Sequence, residues 1–163
     1  MGARTFEDLV AWQLARDLER EVWALTAARP AANDVKFCQQ IREATRSARR
    51  NTAEGFGRYY PKEFVQFLRI AAGSLHEAKD CLHQAADVGY VSPLDYDRLL
   101  KLVVRAIKSN SSLIRYLLTA NAPTPRPPGT PPRATTPKRQ EPQEPGEPPE
   151  PREPEEPREP QEP

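Results

Sequence analysis

From Phe64 the chain places a large or small apolar residue at steps of 4, 3, 4, 3, 4 and 3, through Leu68, Ala71, Leu75, Ala78, Leu82 and Ala85. That rhythm is a heptad seam, and it predicts a helix opened by Pro61 in its first turn and running over about 61–87. Large and small residues alternate along it, and Gly73 offers a place for a neighbouring backbone to come close. Gly89 stops this helix. Ser92-Pro93-Leu94-Asp95 then supplies an N-cap, a proline at the first helical position and an acid in the first turn for the next one. Its seam reads Tyr96, Leu100, Val103, Ile107, Asn110, Ile114 and Leu117, predicting a helix over about 93–119. Asn110 is the one amide in that seam, a residue type that sets register or oligomeric state at some cost in stability.

Upstream, Thr5 followed by Asp8 reads as a capping-box start. Phe6, Leu9, Trp12, Leu18, Val22 and Leu25 then repeat with a helical period, predicting a helix over about 6–28 that Pro30 ends. Asn33 and Asp34 offer N-caps to a helix over about 34–55, carrying Phe37, Ile41 and Ala48 and ending at Gly55, where freedom to take positive φ suits a C-cap. In this helix Ile41, Thr45, Ala48 and Thr52 form a stripe suited to a core. Arg42, Arg46, Arg49 and Arg50 repeat nearly the same spacing about 100° round the helix, so they are expected to face outward. No segment alternates as a strand does. The fold class is all-α, an antiparallel up-down four-helix bundle.

Composition moves the domain boundary. Sixteen of the 19 prolines lie in residues 123–163, a stretch without Val, Ile, Leu, Met, Phe, Tyr, Trp or Cys. With nothing apolar to bury it cannot offset its ordering entropy, so the bundle is expected within 1–122 and a disordered Pro/Glu/Arg-rich tail within 123–163. From Pro142 the prolines recur every third residue, the period of a polyproline helix, which suits either a solubilising spacer or a docking strip. The bundle segment is net +4 and the tail net −3. So mild an excess predicts no partner by itself, and a nucleic-acid argument must rest on where the charge sits.

Candidate chemistry is sparse. Cys38 and Cys81 fit no zinc or disulfide pattern and read as core residues. His76, Asp80 and His83 share one side of a helix, but a di-metal bundle site needs a second such motif and more inward carboxylates, which the chain lacks. No phosphate-binding glycine loop or nucleophile motif occurs. The expectation is no enzyme and no cofactor. The N-terminus lacks the apolar stretch of a signal peptide and no run approaches the ~18 apolar residues of a membrane span, so no membrane partner and a cytoplasmic location are expected. What remains is the arginine face. It is either a solvated helix surface or a phosphate-contacting one, with Arg58, Tyr59, Tyr60 and Lys62 adding a further guanidinium and rings able to stack on bases.

Several pieces together resemble a known family: Phe6-x-x-Leu9-x-x-Trp12-Gln13, Gln40 and Arg42, Asn51-x-Ala53-Glu54-Gly55-Phe56-Gly57-Arg58, Phe64-x-x-Phe67-Leu68-x-Ile70-Ala71-x-Gly73-Ser74-x-x-Glu77, and Gly89-Tyr90. The chain resembles bacterial four-helix bundle proteins of the 23S rRNA intervening-sequence type, whose relatives include the accessory variability determinants of diversity-generating retroelements. The resemblance implies a homopentameric ring with a central pore. It also implies a non-enzymatic role, with nucleic acid and a reverse transcriptase as partners in the retroelement branch. Asn51, Glu54, Gly55, Gly73, Ser74 and Glu77 are the motif residues it points to, read as serving helix ends and assembly. Where the family has an apolar Ser-Ile-Pro-Ser-Asn-Ile run, this chain reads Ser47-Ala48-Arg49-Arg50-Asn51-Thr52, straighter and more basic. The expected function is therefore nucleic-acid binding through Arg42, Arg46, Arg49, Arg50 and Arg58 as an accessory to a reverse transcriptase or to ribosomal RNA. The alternative is a structural adaptor that binds only protein, through its bundle surface and tail.

Overall fold

The computed structural model describes residues 3–58 and 60–119, so the expectations placed on Tyr59 and on the 123–163 tail lie outside the described residues. Four helices, α1 (Val10–Ala27), α2 (Val35–Gly57), α3 (Pro61–Asp87) and α4 (Pro93–Leu118), form an all-α up-down bundle in which each helix packs on its chain neighbours and α1 also packs on α4.

The first helix begins later than the sequence predicts. Thr5 to Asp8 closes only a 3-10 turn, over Phe6–Asp8, in which the Asp8 carboxylate accepts the backbone N–H groups of Arg4 at 2.8 Å and Thr5 at 3.0 Å. Leu9 is extended, and α1 starts after it. The Thr5 bond and then the Arg4 bond hold the Asp8 carboxyl below its ordinary pKa.

Asp34 caps α2 as expected, accepting the Phe37 N–H at 3.0 Å, and its second oxygen accepts the Tyr90 hydroxyl at 3.0 Å. The cap bond first and the tyrosine second lower its pKa. A carboxyl whose folded pKa is depressed contributes stability above its unfolded pKa and loses it as pH falls through the folded value. Asp34→Asn is therefore expected to flatten the fall in melting temperature below pH 4 relative to the wild type. Asp8 keeps part of that slope alive, and equal slopes in the two proteins would remove Asp34 from the account.

Tyr90 reaches Asp34 because of how α3 ends. Gly89 takes φ 74°, the Tyr90 N–H bonds the Ala85 carbonyl at 2.7 Å, and the Gly89 N–H bonds the Ala86 carbonyl at 3.2 Å. These are the paired bonds of a Schellman motif, which satisfy the last carbonyls of a helix. Ser92 caps α4 by accepting the Asp95 N–H at 3.1 Å, with Pro93 in the first turn.

Gly55 plays a different part from the one its position suggested. It does not end α2, which continues to Gly57; it is buried inside the helix, where an added Cβ would stand 2.6 Å from Phe64 Cδ2 and 2.7 Å from Phe67 Cβ. The glycine is there to let α2 and α3 approach.

All seven predicted seam residues of α3 are buried, as are Ile41, Thr45, Ala48 and Thr52 of α2. The α4 seam needs correction. Its buried residues are Leu99, Val103, Ala106, Asn110 and Leu117, whereas Tyr96, Leu100, Ile107 and Ile114 of the predicted seam lie half-buried on the flank. The core falls into two clusters. The larger, around Leu18, Val22, Ile41, Leu75, Leu82, Leu99 and Val103, occupies the end that holds the α3–α4 turn. The smaller, around Leu9, Trp12, Phe64, Val65, Leu68 and Leu117, occupies the other end. A fully buried leucine contributes about 2 kcal/mol, so most of the stability sits in the larger cluster. Asn110 lies on α4 between them and donates from Nδ2 to the Leu68 carbonyl at 2.9 Å, leaving its Oδ1 without a partner.

Candidate functional site

The side of α2 that holds Ile41 and Ala48 is committed to the core, so its arginines must sit on the margins and the outer surface. Arg42 and Arg49 fall on the margin shared with α1. Arg42 Nε donates to Thr26 Oγ1 at 2.7 Å, and its guanidinium carbon lies 4.0 Å from the centre of the Trp23 ring. Arg49 Nε bonds Glu19 Oε2, on a carboxylate only 13% exposed. Arg46 stands further out. It reaches Glu19 at 4.0 Å and Glu43 at 3.5 Å, and its guanidinium carbon lies 5.9 Å from the centre of the Trp23 ring. Arg50 is exposed and forms no ion pair among the described residues.

Arg58 is not part of this group. It lies about 24 Å further along the helix axis from Arg42, at 1.5 Å per residue. There its Nη2 bonds Glu54 at 2.7 Å and its guanidinium stacks 5.0 Å from the Phe67 ring. The five predicted binding arginines thus divide into three that meet α1 (Arg42, Arg46 and Arg49), Arg50 exposed on the outer surface one residue further on, and Arg58 on the α3 side.

The cluster contains two residues that the sequence pattern did not single out. Glu19 and Trp23 lie four apart on α1, on the face turned to α2, and Trp23 keeps 41% of its surface open despite its size. Both belong to a helix whose other residues read as ordinary amphipathic pattern. Only the pairing of α1 with the arginine side of α2 reveals them. Chemically the face offers outer guanidinium groups able to pair with phosphate, an indole, and one inner carboxylate that already neutralises part of the charge.

The motif residues gather elsewhere, on the outer groove between α2 and α3. Ser47 and Ser74 share a hydrogen bond at 2.8 Å, Asn51 Nδ2 donates to the Ser47 carbonyl at 2.8 Å and to its Oγ at 3.1 Å, and Gln40 Nε2 reaches Glu77 at 3.4 Å. Ser74 also donates to the Ile70 carbonyl at 3.1 Å. Glu54, exposed, holds Arg58, and Gly73 is exposed with nothing within 4 Å of where a Cβ would be. The Ser47–Ser74 and Gln40–Glu77 bonds cross from α2 to α3, and the Asn51 and Ser74–Ile70 bonds each stay within one helix.

The histidines are engaged otherwise. His83 Nδ1 lies 2.7 Å from the Tyr96 hydroxyl, with the rings edge to face, and both His76 and Asp80 are exposed. Among the described residues no group of three or more His, Cys, Asp or Glu side chains is placed to hold a metal ion. Cys38 and Cys81 are buried and unpaired, and burial with the nearby Glu77 and Asp80 raises the Cys81 thiol to about 11. Among the described residues no helix is long and apolar enough to cross a membrane.

No curated protein matches the chain. A family model described as 23S rRNA-intervening sequence protein matches residues 7–112, from the 3-10 turn before α1 to the last two turns of α4, and the chain belongs to that family.

Proposed function

We propose that this chain is a non-enzymatic accessory protein that binds nucleic acid through the face where α2 meets α1. The observation that carries the reading is that Arg42, Arg46 and Arg49 meet around Trp23 and Glu19 of α1, with Arg50 exposed beside them, while among the described residues the carboxylates paired with these arginines are those of Glu19 and Glu43. The family's own description, tied to intervening sequences of 23S rRNA, supports nucleic acid as the partner class. Arg50 and Arg46 are the outer phosphate contacts, Arg42 and Arg49 are held in place by α1, and Arg58 is a separate outlying contact. Assembly into a homopentameric ring, and action beside a reverse transcriptase or ribosomal RNA, belong to the same reading.

A salt titration of oligonucleotide affinity tests it. Replacing Arg46, Arg49 and Arg50 by alanine is expected to make the slope of log affinity against log salt shallower by about two, because each lost phosphate contact releases fewer counterions. Glu19→Gln is expected to move affinity the other way, since it frees Arg46 and Arg49 while keeping the shape of the carboxylate. No binding at low salt, or indifference to both changes, would sink the proposal.

One observation favours the protein-only adaptor. Glu19 already occupies Arg49 and reaches Arg46, so part of the charge serves to pack α1 on α2. On that reading Glu19→Gln lowers thermal stability without creating any affinity for oligonucleotides.

A further inference from the structure

Trp23 is the large aromatic on the arginine face that the fold does not use up. It is 41% exposed, whereas Trp12, the other tryptophan, is 8% exposed within the smaller core cluster. Burying an indole would contribute more than leaving it in water, so an exposed one held among cations has a surface to offer. It is also held in place. Arg42 caps the ring at 4.0 Å and is itself fixed by Thr26 Oγ1 at 2.7 Å, while the Thr26 hydroxyl donates to the Val22 carbonyl at 2.7 Å. The chain from α1 backbone through Thr26 and Arg42 sets the ring beside Arg46, whose guanidinium lies 5.9 Å from its centre.

Phosphate contacts alone cannot tell one strand from two, because both carry the same backbone. An aromatic face within reach of those contacts can, since only an unpaired base is free to stack on it. A flat guanidinium beneath the indole completes a layered stack in which the base becomes the outer layer.

We propose that Trp23 is a stacking platform for an unpaired base, and that the arginine face therefore selects single-stranded over double-stranded nucleic acid. This rests on the nucleic-acid reading above and adds its substrate class. Arg46, beside the ring, and Arg50, one helical turn further along α2, take successive phosphates running away from the stacked base, and Arg42 positions the ring without touching the ligand.

The test uses the full chain and three probes: a 12-nucleotide single-stranded oligoadenylate, the same length as a duplex, and polyglutamate as a polyanion without bases. Tryptophan fluorescence and affinity are followed at low salt. The expected result is quenching by the single strand, little quenching by the duplex and none by polyglutamate. Trp23→Leu is expected to weaken single-strand binding roughly tenfold. It should leave duplex binding within about twofold, and Trp23→Phe, which keeps a ring, should recover most of the loss. The inference is overturned, with nucleic-acid binding intact, if Trp23→Leu weakens strand and duplex alike or neither, or if polyglutamate quenches as fully as the single strand. If neither oligonucleotide binds at all, the broader function falls with it. Because the residue is exposed, the leucine variant is expected to keep the wild-type circular dichroism spectrum and melting temperature.

Discussion

Asn110→Asp is expected to destabilise the bundle by about 3 to 5 kcal/mol at neutral pH, the usual cost of an uncompensated buried charge. That is a large share of the 5 to 15 kcal/mol typical of a small domain. The side chain is 1% exposed, and its one bond is a donation from Nδ2 to the Leu68 carbonyl. Aspartate puts an oxygen where that N–H stood, so a carboxylate would face a carbonyl oxygen with no donor in reach. Protonated, the same group can donate to Leu68 again. Its folded pKa must therefore rise above the unfolded value, and the deficit relative to the wild type should be small below pH 4 and grow as pH rises towards the folded pKa. Urea midpoints of variant and wild type from pH 3.5 to 7.5 measure this. A gap that stays constant across that range would mean that Asn110 is not buried as described.

The second large effect separates two glycines of similar appearance in the sequence. Gly55→Val is expected to cost about 2 kcal/mol or more, because the new side chain meets Phe67 at its Cβ, an atom fixed to the backbone that cannot swing away. Gly73→Ala is expected to stabilise by up to about 1 kcal/mol, since the site is open and alanine is the better helix former. Melting temperatures of both variants check the pair, and shifts in one direction would contradict the packing. The Gly73 variant carries further information in its solution mass. A loss of assembly alongside a gain in stability would mark that exposed glycine as a contact between copies.

The α3 seam was legible in the sequence and the α4 seam only at Val103, Asn110 and Leu117, for a physical reason. Along α3 apolar residues also come in neighbours, but only the stripe from Phe64 to Ala85 is apolar at every step; the stripes beside it are broken by Arg69 and His76 on one side and by Ser74 and Glu77 on the other. Along α4 the apolar residues come in neighbours: Leu99 with Leu100, Val103 with Val104, Ala106 with Ile107, Leu113 with Ile114 and Leu117 with Leu118. Two stripes about 100° apart then fit equally well. Burial favours Leu99, Val103 and Ala106, with small Ala106 admitting close approach, and leaves Leu100, Val104 and Ile107 half-buried beside them.

The arginine face was half legible. Its presence on one side of α2 follows from spacing, but the identity of its neighbour does not. Arg42 and Arg49 stand about 100° from the core direction, and whether α1 or α3 lies there depends on the hand of the bundle, which no local pattern encodes. Glu19, Trp23 and Thr26 were invisible as site residues for that reason. Gly55 misled because a glycine near a helix end and a glycine at a helix crossing look alike until the partner helix is known.

The two core clusters and the clasp between Tyr90 and Asp34 bear on how the bundle responds to a pull. The start of α1 and the end of α4 meet in the smaller cluster, through Leu9, Trp12 and Leu117. Tension applied between residues 10 and 118 would open that end first, one contact at a time. The far end, where the Schellman turn and the Asp34 bond tie the α3–α4 turn to the start of α2, would bear load last. The bundle is therefore expected to yield as a zip with a locked heel rather than as a single shearing block.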